Sequence, residues 1–314
     1  MYELNVKDDY SQSNQENDND NNNEEKMEKK RKNSKKAKNK NYNDKLKDEF
    51  LKKSDENEYL GNKSLTKITD DEYNKSINFK TAFSYFSSCN YKEEQELINQ
   101  EKNLYDKKKN CLKKIYDCFY NRISQKINSE KNLLCCITKV KYDESNEIHY
   151  KILSTIYMFF TEENDCQKSG NHWEKIGFQT KNPQSDLRSV GMLAPLQMLY
   201  FLCAYPSFSL KVFKLFGSKN CEWLFAVTLI NITQICYHLL RDNYLDQFFK
   251  KNNEVIYIFN ELFVGIIYNL NQYLEENKDK LTAEYVGECL EKIKKHSKSA
   301  SEIDSILWNT KKVN

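Results

Sequence analysis

Arg188 is the side chain whose type and setting speak most directly of chemistry. Only four of the 49 Lys and Arg residues are arginine: Arg31, Arg122, Arg188 and Arg241. In a chain so biased toward lysine, each arginine marks a position where a point charge will not serve. A guanidinium is planar, always charged, and makes paired hydrogen bonds to carboxylate or phosphate that an ammonium cannot copy. Arg188 lies within residues 173–201, WEKIGFQTKNPQSDLRSVGMLAPLQMLYF. Two uses are open to it there. It can pair with Asp186 or a helix C-terminus and lock its own loop, or it can face a phosphate brought by another molecule. Other chemistry is poorly supplied. His149, His172, His238 and His296 are scattered, which predicts no metal site, and the ten Cys contain no CxxC pair. No P-loop, GxGxxG, HExxH or nucleophile elbow occurs, which argues against self-contained hydrolysis of a small substrate.

The residues that must position Arg188 read as a loop entering a helix. Pro183 sets a turn, and Ser185 or Asp186 can cap the helix beyond it, so Arg188 falls in the first helical turn or in the loop before it. Trp173, Ile176 and Phe178 flank Gly177 and suit a loop pinned onto a core by aromatic anchors. Pro195 is tolerated only near a helix start, so a kink or restart is expected there. Around this segment, 3.6-residue patterns predict helices over Ile148–Phe160, Gly191–Tyr205, Leu210–Phe216, Glu222–Leu240, Tyr244–Lys250, Glu254–Glu275 and Ala283–Lys295. Pro206 is expected to stop the run ending at Tyr205. Upstream, Tyr91–Ile127 suits one long amphipathic helix or two shorter ones, and Asn128–Glu147 reads as a connector with a short apolar piece, Leu133–Ile137. Alternating strand patterns hardly occur. The predicted fold is all-α.

Composition sets the outer organisation. The first sixty residues carry 12 Asn, 15 acidic and 14 basic side chains with few large apolar groups. Such a stretch cannot bury enough hydrocarbon to offset the entropy of ordering it. Residues 1–75 are therefore expected to be a disordered Asn/Lys-rich tail, 76–147 a helical extension and connector, 148–297 the domain, and 298–314 a C-terminal segment. The basic run Lys29–Lys40 reads either as a solvated charge run or as an anionic-surface or import patch switched at Ser34. Its lysines lack interleaved aromatics, so nucleic acid is not an expected partner. The formal net charge of +3 gives no whole-molecule steering. Free Cys in apolar patterns, with no leader in front, predict a cytoplasmic setting. The most apolar windows, Trp223–Leu240 and Val255–Leu274, are broken by Asn231, Gln234, His238, Asn260, Glu261 and Asn271. They read as buried helices rather than membrane spans.

The segment around Arg188 resembles the signature of the ELMO (engulfment and motility) domain, in particular that of the smaller ELMO domain-containing proteins. Trp173, Gly177-Phe178-Gln179, Pro183, Asp186, Arg188, Gly191, Leu193, Leu196 and Tyr200-Phe201 stand in its register, and weaker similarity covers about residues 148–277. The resemblance implies a multi-helix domain that activates GTP hydrolysis on Arf or Arf-like small GTPases, with the essential motif arginine falling on Arg188. GTP and magnesium would then belong to the partner, no cofactor to this chain, and any membrane association would be peripheral and through the partner. The alternative within the family is a non-catalytic adaptor for a small GTPase or a DOCK-type exchange factor, since the larger ELMO scaffolds lack the arginine. Gln179 and Asp186 would orient Arg188, touch the GTPase, or only cap and pin the loop, with Trp173 and Phe178 as core anchors. The sequence departs from the pattern at Asn182, Leu187, Ser189 and Ala194-Pro195. Ser189 matters most, because losing a glycine beside the arginine removes backbone freedom.

Overall fold

The computed structural model describes residues 76–106, 124–164, 166–217, 224–277 and 281–313. The expected tail, residues 107–123 of Tyr91–Ile127 and the start of the window at Trp223 lie outside the described residues. Within them the chain is all-α, without strands. No single helix among them is long and apolar enough to cross a membrane.

Side-chain caps explain where many helices begin. Asn78 accepts from the Thr81 N–H to open α1 (Phe79–Ser88), and α2 follows over Lys92–Asp106. Ser124 accepts from the Ile127 N–H to start α3 (Gln125–Ile137), and Asn146 accepts from the Ile148 and His149 N–H groups to start α4 (Glu147–Thr161). After the loop carrying Arg188 come α5 (Leu193–Ala204), α6 (Pro206–Phe216), α7 (Phe225–Arg241), α8 (Asp246–Asn252), α9 (Val255–Glu276), α10 (Ala283–His296) and α11 (Ala300–Asn309). The run before Pro206 stops at Ala204, as expected, with Tyr205 out of the helical region. Pro206 is the first residue of α6, where its missing N–H costs no bond.

One expectation changes. The connector at Asn128–Glu147 is, in its first half, the body of α3. That helix buries only Ile127 and the run Leu134–Ile137, so its apolar stripe is too sparse to read. Its polar residues are used between helices instead. Lys131 pairs with Asp246 and bonds Asn243 at 2.9 Å, while Glu130 accepts from the Val255 N–H at 3.3 Å. The segment before the domain also holds α1, whose Phe79 and Phe86 are buried. The C-terminal segment holds α11, capped by Ser299, with Ile303 and Ile306 buried. It meets α9 at Gly265, where an added Cβ would lie 2.4 Å from the Ile306 carbonyl oxygen.

The core is built around α9, whose face from Val255 to Leu274 is buried, and around α5, which is buried along nearly its whole length. Of the polar residues that broke the apolar windows, Asn231, Gln234 and His238 are half-buried, while Glu261 is buried with partners. Glu261 is 4% exposed and accepts from the Tyr200 hydroxyl at 2.6 Å and the Tyr205 hydroxyl at 2.9 Å. That is how a core tolerates a carboxylate.

His149 gives the fold a pH dependence. It is buried beside Tyr85, Tyr142 and the stacked ring of Phe86, and its Nδ1 accepts from the Asp143 N–H at 3.2 Å. Burial pushes its pKa down to about 4, against a smaller opposing pull from Asp143. As pH falls below about 6.5, the unfolded chain takes up this proton before the folded one does, so stability drops between about 6.5 and 4 and is flat above. Urea midpoints at pH 7.5 and 4.5 should differ, and His149→Phe should remove part of that difference. An unchanged slope would show that His149 is not the group responsible.

Candidate functional site

The segment from Asn171 to Met192 runs as three 3-10 turns, Asn171–Ile176, Pro183–Ser185 and Leu187–Ser189, before α5 begins. It is pinned at close intervals. Trp173 is fully buried, edge-on to Tyr157 at 5.7 Å and to Phe178 at 5.9 Å, and its Nε1 donates to the Lys168 carbonyl at 3.3 Å. Ile176, Phe178, Leu187 and Val190 are each at most 1% exposed. Trp173 and Phe178 are thus core anchors.

The two motif glycines are docking points. Gly177 has φ +84°, and a Cβ there would lie 2.4 Å from the backbone nitrogen of Phe225, at the start of α7; its carbonyl accepts from the Val227 N–H at 3.2 Å. Gly191 has φ +50°, and its Cβ would meet the Val140 and Thr138 carbonyl oxygens at 2.4 and 2.7 Å. The Met192 N–H donates to that same Val140 oxygen at 2.9 Å. Only glycine fits both the backbone angle and the space. Gly191→Ala should therefore destabilise the domain by about 2–3 kcal/mol, since backbone rather than a yielding side chain must move. A thermal melt that left it unchanged would contradict this packing.

Polar bonds hold the part between the anchors. The Asn182 side chain accepts from the Gln184 N–H and caps the turn opened by Pro183. Asp186 stands at the cap position of the next turn, Leu187–Ser189, but its side chain makes no cap bond there. Asp186 instead accepts from the Gln179 N–H at 2.8 Å, tying the two ends of the loop tip together. Upstream, Glu163 receives Lys175 at 2.6 Å and the Tyr157 hydroxyl, and these bonds, led by Lys175, hold its carboxyl below the usual range.

Against this fixed background Arg188 is exposed, in the middle of the last turn. Among the described residues no hydrogen bond or ion pair engages it. Asp186, the internal partner open to it in the sequence, accepts the Gln179 N–H through one oxygen and makes no ion pair with Arg188. Gln179 is also exposed, and only its backbone is bonded. The arrangement presents an unneutralised guanidinium on a braced loop, the geometry suited to meeting an anionic group on another molecule. The departures from the family pattern fit this frame. Leu187 keeps an apolar anchor, Pro195 sits in the first turn of α5, and Ser189 is not among the residues with positive φ, so glycine is not required there. Local sequence carried no sign of the Thr138–Val140 strip or the Phe225 backbone, because both reach the loop from distant elements.

Residues 132–286 match the model of the ELMO/CED-12 family. ELMO domain-containing protein 3 of Mus musculus is 30% identical over 180 residues, covering 56% of this chain and 47% of its own length. ELMO domain-containing protein B of Dictyostelium discoideum is 26% identical over 148 residues, 47% of this chain and 52% of its own. ELMO domain-containing protein 2 of Bos taurus is 26% identical over 148 residues, 45% of this chain and 50% of its own. The chain spans about half the length of the curated relatives it matches. No solved structure matches it. Through residues 132–286, with the Arg188 loop inside them, the chain belongs to the ELMO/CED-12 family.

Proposed function

We propose that this domain is a GTPase-activating protein for an Arf-family or Arf-like small GTPase, acting in the cytoplasm and supplying Arg188 to the partner's nucleotide pocket. The observation that carries the reading is an exposed arginine, with no ion pair among the described residues, on a loop pinned by buried anchors on both sides. Phosphoryl transfer spreads negative charge over the transferring oxygens, and a pre-positioned guanidinium stabilises that charge more than it stabilises bound GTP. The rigidity matters as much as the charge, because a mobile arginine would lose entropy on insertion. GTP and magnesium are the GTPase's own, so this chain needs no cofactor for the role. Single-turnover hydrolysis of GTP on a panel of Arf and Arf-like GTPases, with and without the full-length chain, tests the proposal. Acceleration on at least one member is expected. Binding without acceleration across the panel would replace the activator with a non-catalytic adaptor.

A further inference from the structure

Arg188 can stabilise charge, but hydrolysis also needs a water held in line with the γ-phosphorus. Holding it takes a group that accepts from the water and donates to a phosphate oxygen at once, which a carboxamide can do. Gln179 meets the positional requirements. It directly follows the buried anchor Phe178, its N–H is locked to the Asp186 carboxylate at 2.8 Å, and its exposed side chain makes no hydrogen bond among the described residues. Asp186 stands two residues before Arg188. Chain geometry therefore keeps the Gln179 and Arg188 Cα atoms within about 15 Å, a span that the two extended side chains with a phosphoryl group and a water between them can fill. Lys181 has no acceptor and the Ser189 hydroxyl is short. Gln184 carries the same exposed carboxamide, with its backbone held by the Asn182 cap, and serves as the comparison for Gln179.

We infer that Gln179 is a second catalytic residue of the same loop, orienting the attacking water while Arg188 takes up the developing charge. The inference rests on the activator reading above. In the step it assists, the water oxygen bonds to the γ-phosphorus as the bond from that phosphorus to the β–γ bridging oxygen breaks. The electron pair leaves with GDP, and a water proton passes to a γ-phosphate oxygen, giving GDP and inorganic phosphate.

Single-turnover rates at saturating full-length chain would be measured on the responsive GTPase and on a form of it whose own water-orienting glutamine is replaced by leucine. The wild-type chain should accelerate both. Gln179→Ala should lose at least about 10-fold on the first and all acceleration on the second, with unchanged affinity and melting temperature, while Gln184→Ala matches wild type. A full saturating rate for Gln179→Ala, a defect in affinity alone, or failure of wild type on the leucine form would each overturn the role of Gln179. Arg188→Lys in the same assay separates the two claims. If it keeps the wild-type rate, the arginine mechanism fails whatever Gln179 does.

Discussion

Arg188→Lys is expected to lower the saturating rate of GTP hydrolysis on the partner by roughly 10³-fold, about 4 kcal/mol of transition-state stabilisation. Affinity for the GTP-bound partner should change by less than about threefold. The split follows from the setting of the side chain. Arg188 is exposed and makes no bond among the described residues, so its replacement should leave the loop intact, and lysine preserves the positive charge that a ground-state contact would feel. Lysine does not preserve the planar fork that spans two phosphoryl oxygens. A loss confined to affinity would make Arg188 a docking residue. Equal loss of stability would mean that the guanidinium holds the loop after all.

Trp173→Ala carries the largest expected effect on stability, about 3–5 kcal/mol by analogy with other aromatic truncations in cores. The indole is fully buried between Tyr157, His172 and Phe178, and its Nε1 satisfies the Lys168 carbonyl. Removing it opens a cavity beneath the first turn of the loop and orphans that carbonyl. Because Phe178 immediately precedes Gln179, the loosened anchor should also reduce the hydrolysis rate under conditions where the domain remains folded. Trp173→Phe should recover much of the stability by refilling the cavity. Denaturant unfolding of the two variants checks this, and a cost below about 1 kcal/mol for alanine would contradict the anchoring role.

Much of this arrangement was legible in the residues themselves. The stripe along Val255–Glu276 and the apolar run Leu193–Ala204 announce buried helices through period and density. Trp173, Ile176 and Phe178 read as anchors because large apolar groups flanking a glycine in a loop have few other uses. What stayed hidden depends on contacts distant in sequence. Helix α3 hides because its polar face is used up by Asp246, Asn243 and the Val255 N–H, all more than a hundred residues away. The need for glycine at positions 177 and 191 comes from the Phe225 and Val140 backbones, which no local pattern places beside them. The alternatives for Arg188 and Asp186 were both chemically sound on sequence alone. They part where Arg188 is found exposed and without an ion pair among the described residues, with Asp186 on the Gln179 N–H.

The most direct measurement is the affinity of the chain for its GTPase in two loaded states, one with a non-hydrolysable GTP analogue and one with GDP and aluminium fluoride, which mimics the phosphoryl group in flight. A group that stabilises the transition state binds its mimic more tightly than the ground state. The account predicts tighter binding of the aluminium fluoride state by at least about 10-fold, and disappearance of that preference in Arg188→Ala. Equal affinity for both states, or a preference that survives without Arg188, would contradict it.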